Sequence, residues 1–195
     1  MTFLDVPVLE GRWVRLEPIG LQHADDLAKA VAVDDLWAKW TTRVPRPEEV
    51  PADIESRLAK RAEGVMVPWA TVLVETGEAV GATSYCNLDP PNLRLEIGHT
   101  WLGRQVQRSR VNSEAKLLQL TRAFDVLGCN AVEFRTHWHN QQSRTAIERL
   151  GAKQDGVLRN HQVWRDGTLR DTVVYSITAA EWPAVRLGLQ ERLRG

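Results

Sequence analysis

Cysteine is scarce in this chain. Its two thiols, Cys86 and Cys129, stand in apolar or turn contexts with no paired ligand spacing. That excludes a disulfide framework and a cysteine-built zinc site, and it fits a reducing, cytoplasmic compartment. Net charge is missing too, because 25 Lys and Arg balance 25 Asp and Glu. No domain-wide positive field argues for nucleic acid or an anionic membrane, so any anion site has to be local. No apolar run approaches the roughly 18 residues of a membrane span, and "MTFLDVPVLEGRW" lacks the basic head and apolar stretch of an export signal. Walker-type loops, Gly-x-Ser-x-Gly elbows, internal repeats and low-complexity tracts are also absent. Their absence removes nucleotide hydrolysis, serine-hydrolase chemistry and solenoids from consideration. His137 and His139 in "HWH" have no third ligand at an instructive spacing, so no metal site is expected.

What is present reads as one domain over residues 1–195, long enough to bury its own core. "GRWVRLEPIG" carries β-formers, and "LQHADDLAKAVA" spaces Leu21, Ala24, Ala28 and Val31 at helical intervals. Pro45, Pro47 and Pro51 then break the chain before a short amphipathic helix marked by Ile54 and Leu58, a region read as a lid or wall. From Val65, "VPWATVLVE", "EAVGATSYCNL" and "LRLEIGHTWL" predict an antiparallel meander. Asn112 or Ser113 is then expected to cap a helix with Leu117, Leu120, Phe124 and Leu127 on one face and Gly128 at its end. "AVEFRT" predicts a strand, and Asn140 caps a second helix with Ala146, Ile147 and Leu150 inward, ended by Gly151. A hairpin turning at "RDGT" and a short helix after Pro183 complete the chain.

The stretch "VQRSRVNSEAKLL" is a glycine-poor, basic loop entering a helix, and a helix start is a natural anion site. Taken with the element order, "LEIGHTWL", "QRSRVNSEA", "VEFRTHWHNQQSRTAIERLGA" and "DGVLR…RDTVVYSI" resemble the GNAT superfamily of acetyl-coenzyme-A-dependent N-acetyltransferases, in its RimJ/RimL-like branch, over residues 9–185. The resemblance implies an α+β fold. Its central mixed, mostly antiparallel twisted sheet is flanked by helices, with two strands splayed at the coenzyme site. The family's pyrophosphate motif, Q/R-x-x-G-x-G/A, falls on Gln107, Arg108, Ser109, Arg110, Val111 and Asn112, so both small positions are altered. Arg104, Arg108 and Arg110 offer direct guanidinium contacts to phosphate in compensation. Trp101 and Leu102 end the strand beside the coenzyme, and backbone N–H groups in the stretch Ile97–Trp101 are the implied donors to the thioester carbonyl.

By the same resemblance, Asn140 faces the pantetheine arm while capping its helix. Ile147 stands where many relatives have a proton-donating tyrosine, and Ser143 matches the serine assigned that task in the RimL-like branch. The bland alternative for Ser143 is a surface residue in a helix start. Glu96 is the candidate base toward an incoming ammonium, its alternative being an outward or salt-bridged strand residue. Gln162 replaces a glutamate that relatives are proposed to use as base, and His161 and Asp171 lie on the same hairpin. Trp37 and Trp40 fall where the family builds its acceptor wall. The implied reaction is direct attack of a primary amine, a protein or peptide N-terminus or a small amine, on acetyl-CoA in a ternary complex. A second copy of the chain is a further candidate partner. A non-catalytic acyl-CoA-binding or interaction module is the competing reading.

Overall fold

The computed structural model describes residues 2–194. Eight strands form one sheet: β1 (Leu9–Glu10), β2 (Val14–Pro18), β3 (Met66–Leu73), β4 (Ala79–Asp89), β5 (Arg94–Leu102), β6 (Ala131–His137), β7 (Lys153–Val163) and β8 (Leu169–Thr178), in the order β1-β2-β3-β4-β5-β6-β8-β7. Every neighbouring pair is antiparallel except β5 and β6, which run parallel. The expected α+β architecture and the three-strand meander are therefore present. The five α-helices are α1 (Ala24–Ala32), α2 (Val50–Ala62), α3 (Arg110–Thr121), α4 (Gln141–Leu150) and α5 (Trp182–Arg194).

Alternation along the strands divides the core between the two faces. One face packs Leu16, Trp69, Ile97, Phe134, Val173 and Ile177 against Val111, Ala115 and Leu120 of α3, Ile147 and Leu150 of α4, and Trp182 and Leu189 of α5. The other packs Ala70, Val72, Ala82 and Trp101 against Leu27 and Val31 of α1 and Val50 and Ile54 of α2. Fully burying each aliphatic side chain of this kind contributes about 1.5–3 kcal/mol.

Three expectations are corrected: the C-terminal helix, α5, is not short and does not follow Pro183, since it runs 13 residues from Trp182 with Pro183 in its first turn. The start of α3 is capped by Ser109, whose Oγ accepts from the Val111 amide at 3.2 Å, and not by Asn112 or Ser113. Arg110, Val111 and Asn112 consequently form its first turn. The helix after the prolines is not short: it runs 13 residues with Pro51 in its first turn, where the missing N–H has no intrahelical partner to lose. The second cap is as expected. Asn140 Oδ1 accepts from the Ser143 amide at 3.0 Å, and Gly151 closes α4 at φ 100°. Glu114, on the second turn of α3, accepts the amides of Arg12, Trp13 and Val14 at 2.8, 2.7 and 2.8 Å. That clamp ties the β1–β2 turn to the helix.

Candidate functional site

β5 and β6 pair only where Arg94, Leu95 and Glu96 lie beside Ala131, Val132 and Glu133, after which the two strands separate. Beyond Glu96 the backbone groups of β5 on that side have no β6 ladder to bond to, so a strand edge lines a cleft inside the sheet. α3 follows the C-terminal end of β5 and α4 follows that of β6. The positive ends of both helix dipoles therefore stand at the crevice outside the strand ends, where open sheets bind ligands. A register shift between Ala82 and Ser84 leaves one extra residue on β5, and His99 at the bulge has φ 50°. Arg57, itself held by Asp53 at 2.6 Å, donates to the His99 carbonyl at 3.3 Å and fixes the bulge from the α2 side. A Cβ at Gly98 would lie 2.7 Å from Glu96 Oε1 and 2.9 Å from Cys86 Sγ, so glycine is needed for the carboxylate to sit there.

Glu96 occupies the apex of the splay and is 7% exposed, so it is neither outward nor solvated. Its Oε2 accepts from Asn87 Nδ2 at 2.6 Å and lies 3.5 Å from Arg135 Nε. Burial pushes the carboxyl's pKa up, and the Arg135 guanidinium and the Asn87 amide pull it back. Glu133 bridges Arg94 and Arg135 at 2.7 and 2.9 Å, which leaves Arg135 shared between two carboxylates.

The loop residues divide into two groups. Gln107 turns toward the cleft: its Nε2 donates to the Leu102 carbonyl at 2.9 Å, and its Oε1 accepts from Gln142 Nε2, on the first turn of α4, at 3.3 Å. Lys39 donates to Gln142 Oε1 at 2.9 Å and extends this chain across the mouth. Ser143, one residue further on, is half-buried beside it. Arg110 instead lays its guanidinium over the Trp13 ring at 5.1 Å, and Arg108 takes φ 61°. With Arg12, Ser113 and Arg192 they line a cavity of about 710 Å³ on the Trp13 side of the α3 start. Trp101 is 7% exposed and packed beneath α1 and α2, so only its backbone is at the cleft, and its Nε1 has no partner.

A cluster that sequence reasoning did not assemble lies past the end of β6. Trp40 meets His137 edge-on at 4.8 Å and His139 at 5.6 Å, and Trp164 meets His137 at 5.6 Å. Arg43 and Arg170 lie over the Trp164 ring at 4.6 and 4.7 Å. Trp164 Nε1 donates to the Trp40 carbonyl, and Arg165 donates to the Trp37 and Lys39 carbonyls, which fastens the β7–β8 hairpin to the proline-rich wall. His161 contacts Thr172 Oγ1 at 3.0 Å, while Asp171 is occupied by Arg159 and the Asn160 amide. The signal available in the sequence was the tryptophan count, but residues 40, 137, 164 and 170 meet only in the fold, where β6 lies beside β8 and the wall is fastened to the hairpin turn. Among the described residues no group of three or more His, Cys, Asp or Glu is placed to hold a metal, and no helix is long and apolar enough to cross a membrane.

Residues 14–153 match the family model described as an acetyltransferase (GNAT) domain. A solved GCN5-related N-acetyltransferase from Brucella melitensis is 33% identical, with TM-score 0.87, covering 96% of this chain and 85% of that one. YdaF of Bacillus subtilis (strain 168), provisionally named a ribosomal N-acetyltransferase, is 31% identical over 110 residues, 56% of this chain and 59% of its own length. The matched part thus spans less than two thirds of that relative. Mycobacterium smegmatis RimJ, solved in complex with CoA-disulfide, shares the fold at TM-score 0.77 and 21% identity, covering 96% of this chain and 92% of that one.

Proposed function

The chain belongs to the GNAT acetyltransferase family, and from that premise we propose that it transfers an acetyl group from acetyl-CoA to a primary amine, in the cytoplasm, by direct attack in a ternary complex. The single observation that carries this reading is the cleft between β5 and β6, with an unpaired strand edge, two helix starts at its mouth and a buried carboxylate at its apex. The coenzyme supplies the thioester, and the chain supplies position, hydrogen bonds and proton transfer.

Backbone N–H groups in the stretch Ile97–Trp101 donate to the carbonyl oxygen as charge develops on it. Glu96 takes the proton of the incoming ammonium, directly or through water. Its burial suits this task, because a base works best when its pKa lies near the working pH. The amine nitrogen bonds to the acetyl carbon as the carbon–sulfur bond breaks; Ser143 Oγ donates its proton to the departing thiolate and takes up, directly or through water, the proton that the nitrogen sheds in becoming an amide. Asn140 orients the pantetheine arm from the α4 cap. Trp101 and Leu102 contribute backbone beside it, and the first turn of α3, from Arg110 to Asn112, receives the pyrophosphate with Gln107, Arg108 and Ser109. The provisional name of YdaF supports a ribosomal-protein N-terminus as acceptor, and a small amine is the alternative.

One observation favours a second reading. Arg110 and Asn112 occupy the glycine positions of the phosphate loop and Arg110 is turned onto Trp13, as fits an acyl-CoA-binding module without turnover. Calorimetry with acetyl-CoA followed by thiol release across amines and short peptides separates the two. Binding with thiol release supports transfer, and binding without release supports the module. No binding at millimolar coenzyme overturns both.

A further inference from the structure

The walls of the acceptor side hold donors that have no acceptor. His137 is 3% exposed, and its Nδ1 accepts from the His139 amide at 3.1 Å. In the neutral ring the proton therefore sits on Nε2, and that buried N–H has no partner. Burial, with Arg170 and His139 nearby, keeps the ring in its neutral form by lowering its pKa. Arg170 Nε is likewise buried and unpartnered. Arg43 and Arg170 both lie on Trp164, and neither is ion-paired with a carboxylate among the described residues. Glu96, within the field of Arg170, is already engaged by Asn87 and Arg135. Leaving a buried donor unsatisfied costs about 1–3 kcal/mol, and here two such donors, His137 Nε2 and Arg170 Nε, lie beside one indole that the guanidinium of the exposed Arg43 also covers.

We infer that the acceptor amine carries a carboxylate, which Arg43, Arg170 and the His137 Nε2–H receive around Trp164 while Glu96 faces the amine. The inference rests on the acetyl-transfer reading above. Two oxygens with several lone pairs match a set of donors that has no acceptors of its own, and an uncharged or cationic acceptor would leave the set unsatisfied. Access requires Trp40 to turn off the His137 edge, and its ring, in a residue 48% exposed, lies at the surface. The carboxylate has two sources: the α-carboxylate of a free amino acid, or an acidic side chain close to a peptide N-terminus.

The test compares acceptors matched except for charge: amino acids against their amides, and peptides with glutamate against glutamine at the second position. Thiol release is read as kcat/KM for the wild type, Arg170→Gln and Arg43→Gln. The wild type should prefer the carboxylate member of one series by about tenfold or more, as one charge-assisted contact implies. Whichever series shows the preference identifies the source. Both variants should bring the ratio toward one while acetyl-CoA affinity by calorimetry is kept, and that affinity reports that they are folded. A wild-type ratio near one in both series, with amines acetylated, overturns the inference and leaves the transfer reading standing. A ratio unmoved in both variants overturns the assignment to these arginines. Coenzyme binding with no acetylation of any amine overturns the transfer reading and this inference with it.

Discussion

The two faces of the same strands behave oppositely around the splay. Under α3, α4 and α5, β6 and β8 present Val132, Phe134, Val173, Tyr175 and Ile177, and the Tyr175 hydroxyl accepts from Arg144 and donates to Glu148. On the other face the intervening residues are Glu133, Arg135, His137, Thr172 and Arg170, with Glu96 beside them on β5. Alternation alone sorts these residues, since each step along a strand changes face. One face is packed to stabilise. The other keeps a buried carboxylate with a raised pKa and buried donors without acceptors, features that cost stability and that functional sites retain.

Glu96→Gln should break the comparison hardest if the faces are not so divided. Thiol release is expected to fall about 10²–10⁴-fold, the usual worth of a positioned base. Stability should not fall with it. Because burial raises the folded-state pKa of Glu96, the unfolded chain ionises first as pH rises, and the native state loses stability until Glu96 itself ionises. Glutamine removes that loss, so the variant's melting temperature relative to wild type should climb from acid to neutral pH. A variant that melts lower at neutral pH would make Glu96 a structural residue. The mirror-image change is Leu120→Ala, which deletes a side chain with 0% exposure from the packed face. It should lose about 2–5 kcal/mol in denaturant unfolding while turnover per folded molecule is kept.

The packed side has exceptions, the buried Gln119 Nε2 without an acceptor among them, and the one that sharpens the division is Lys116. It lies on the packed side, 5% exposed, donating to Gln119 Oε1 at 2.8 Å and reaching the Thr83 and Thr100 hydroxyls at 3.3 and 3.5 Å. Burial pushes its pKa down to about 7 from an ordinary 10.5. Between those values the unfolded chain binds a proton that the native chain does not, so native stability falls as pH drops from 10.5 to 7 and levels below. Lys116→Met should therefore stabilise by a few kcal/mol at neutral pH, with the gain shrinking toward pH 10. A difference in melting temperature that does not vary with pH would show that the amine keeps its proton in the folded protein.

The fold was legible from the chain because its signals are local. Asn140 and Gly151 bracket α4 as sequence spacing expects, and the meander from Met66 to Leu102 follows its turns. The cap of α3 was misplaced because Ser109, Asn112 and Ser113 all have capping side chains, and the choice is made by the loop: Ser109 Oγ also donates to the Val106 carbonyl at 2.6 Å. Asn140 and Ser143 were nameable as candidates through family likeness, and Glu96 through its place on the strand before the loop. The carboxylate's burial, its Arg135 partner and the Trp164 cluster were not, because they depend on strand pairing, an ion pair and a hydrogen bond between residues 37 to 124 positions apart. Arg110 shows the same limit. The family resemblance implies that it belongs to the phosphate loop, and only the fold brings Trp13 beneath its guanidinium.

The smallest expected effect lies where the two faces meet. Asn140 caps α4, which belongs to the packed side, yet it does so at the mouth of the cleft. Asn140→Ala removes the acceptor of the Ser143 amide and should cost about 1 kcal/mol of stability, seen as a small drop in denaturant midpoint with an unchanged slope. If the carboxamide also orients the pantetheine arm, acetyl-CoA affinity should fall as well. Asn140→Asp then separates the roles, because a carboxylate caps a helix as well as an amide does but has no N–H to donate. Restored stability with affinity still weakened would place Asn140 in both regions. Restoration of both would leave it a cap alone and would move the boundary of the functional face one residue toward Ser143.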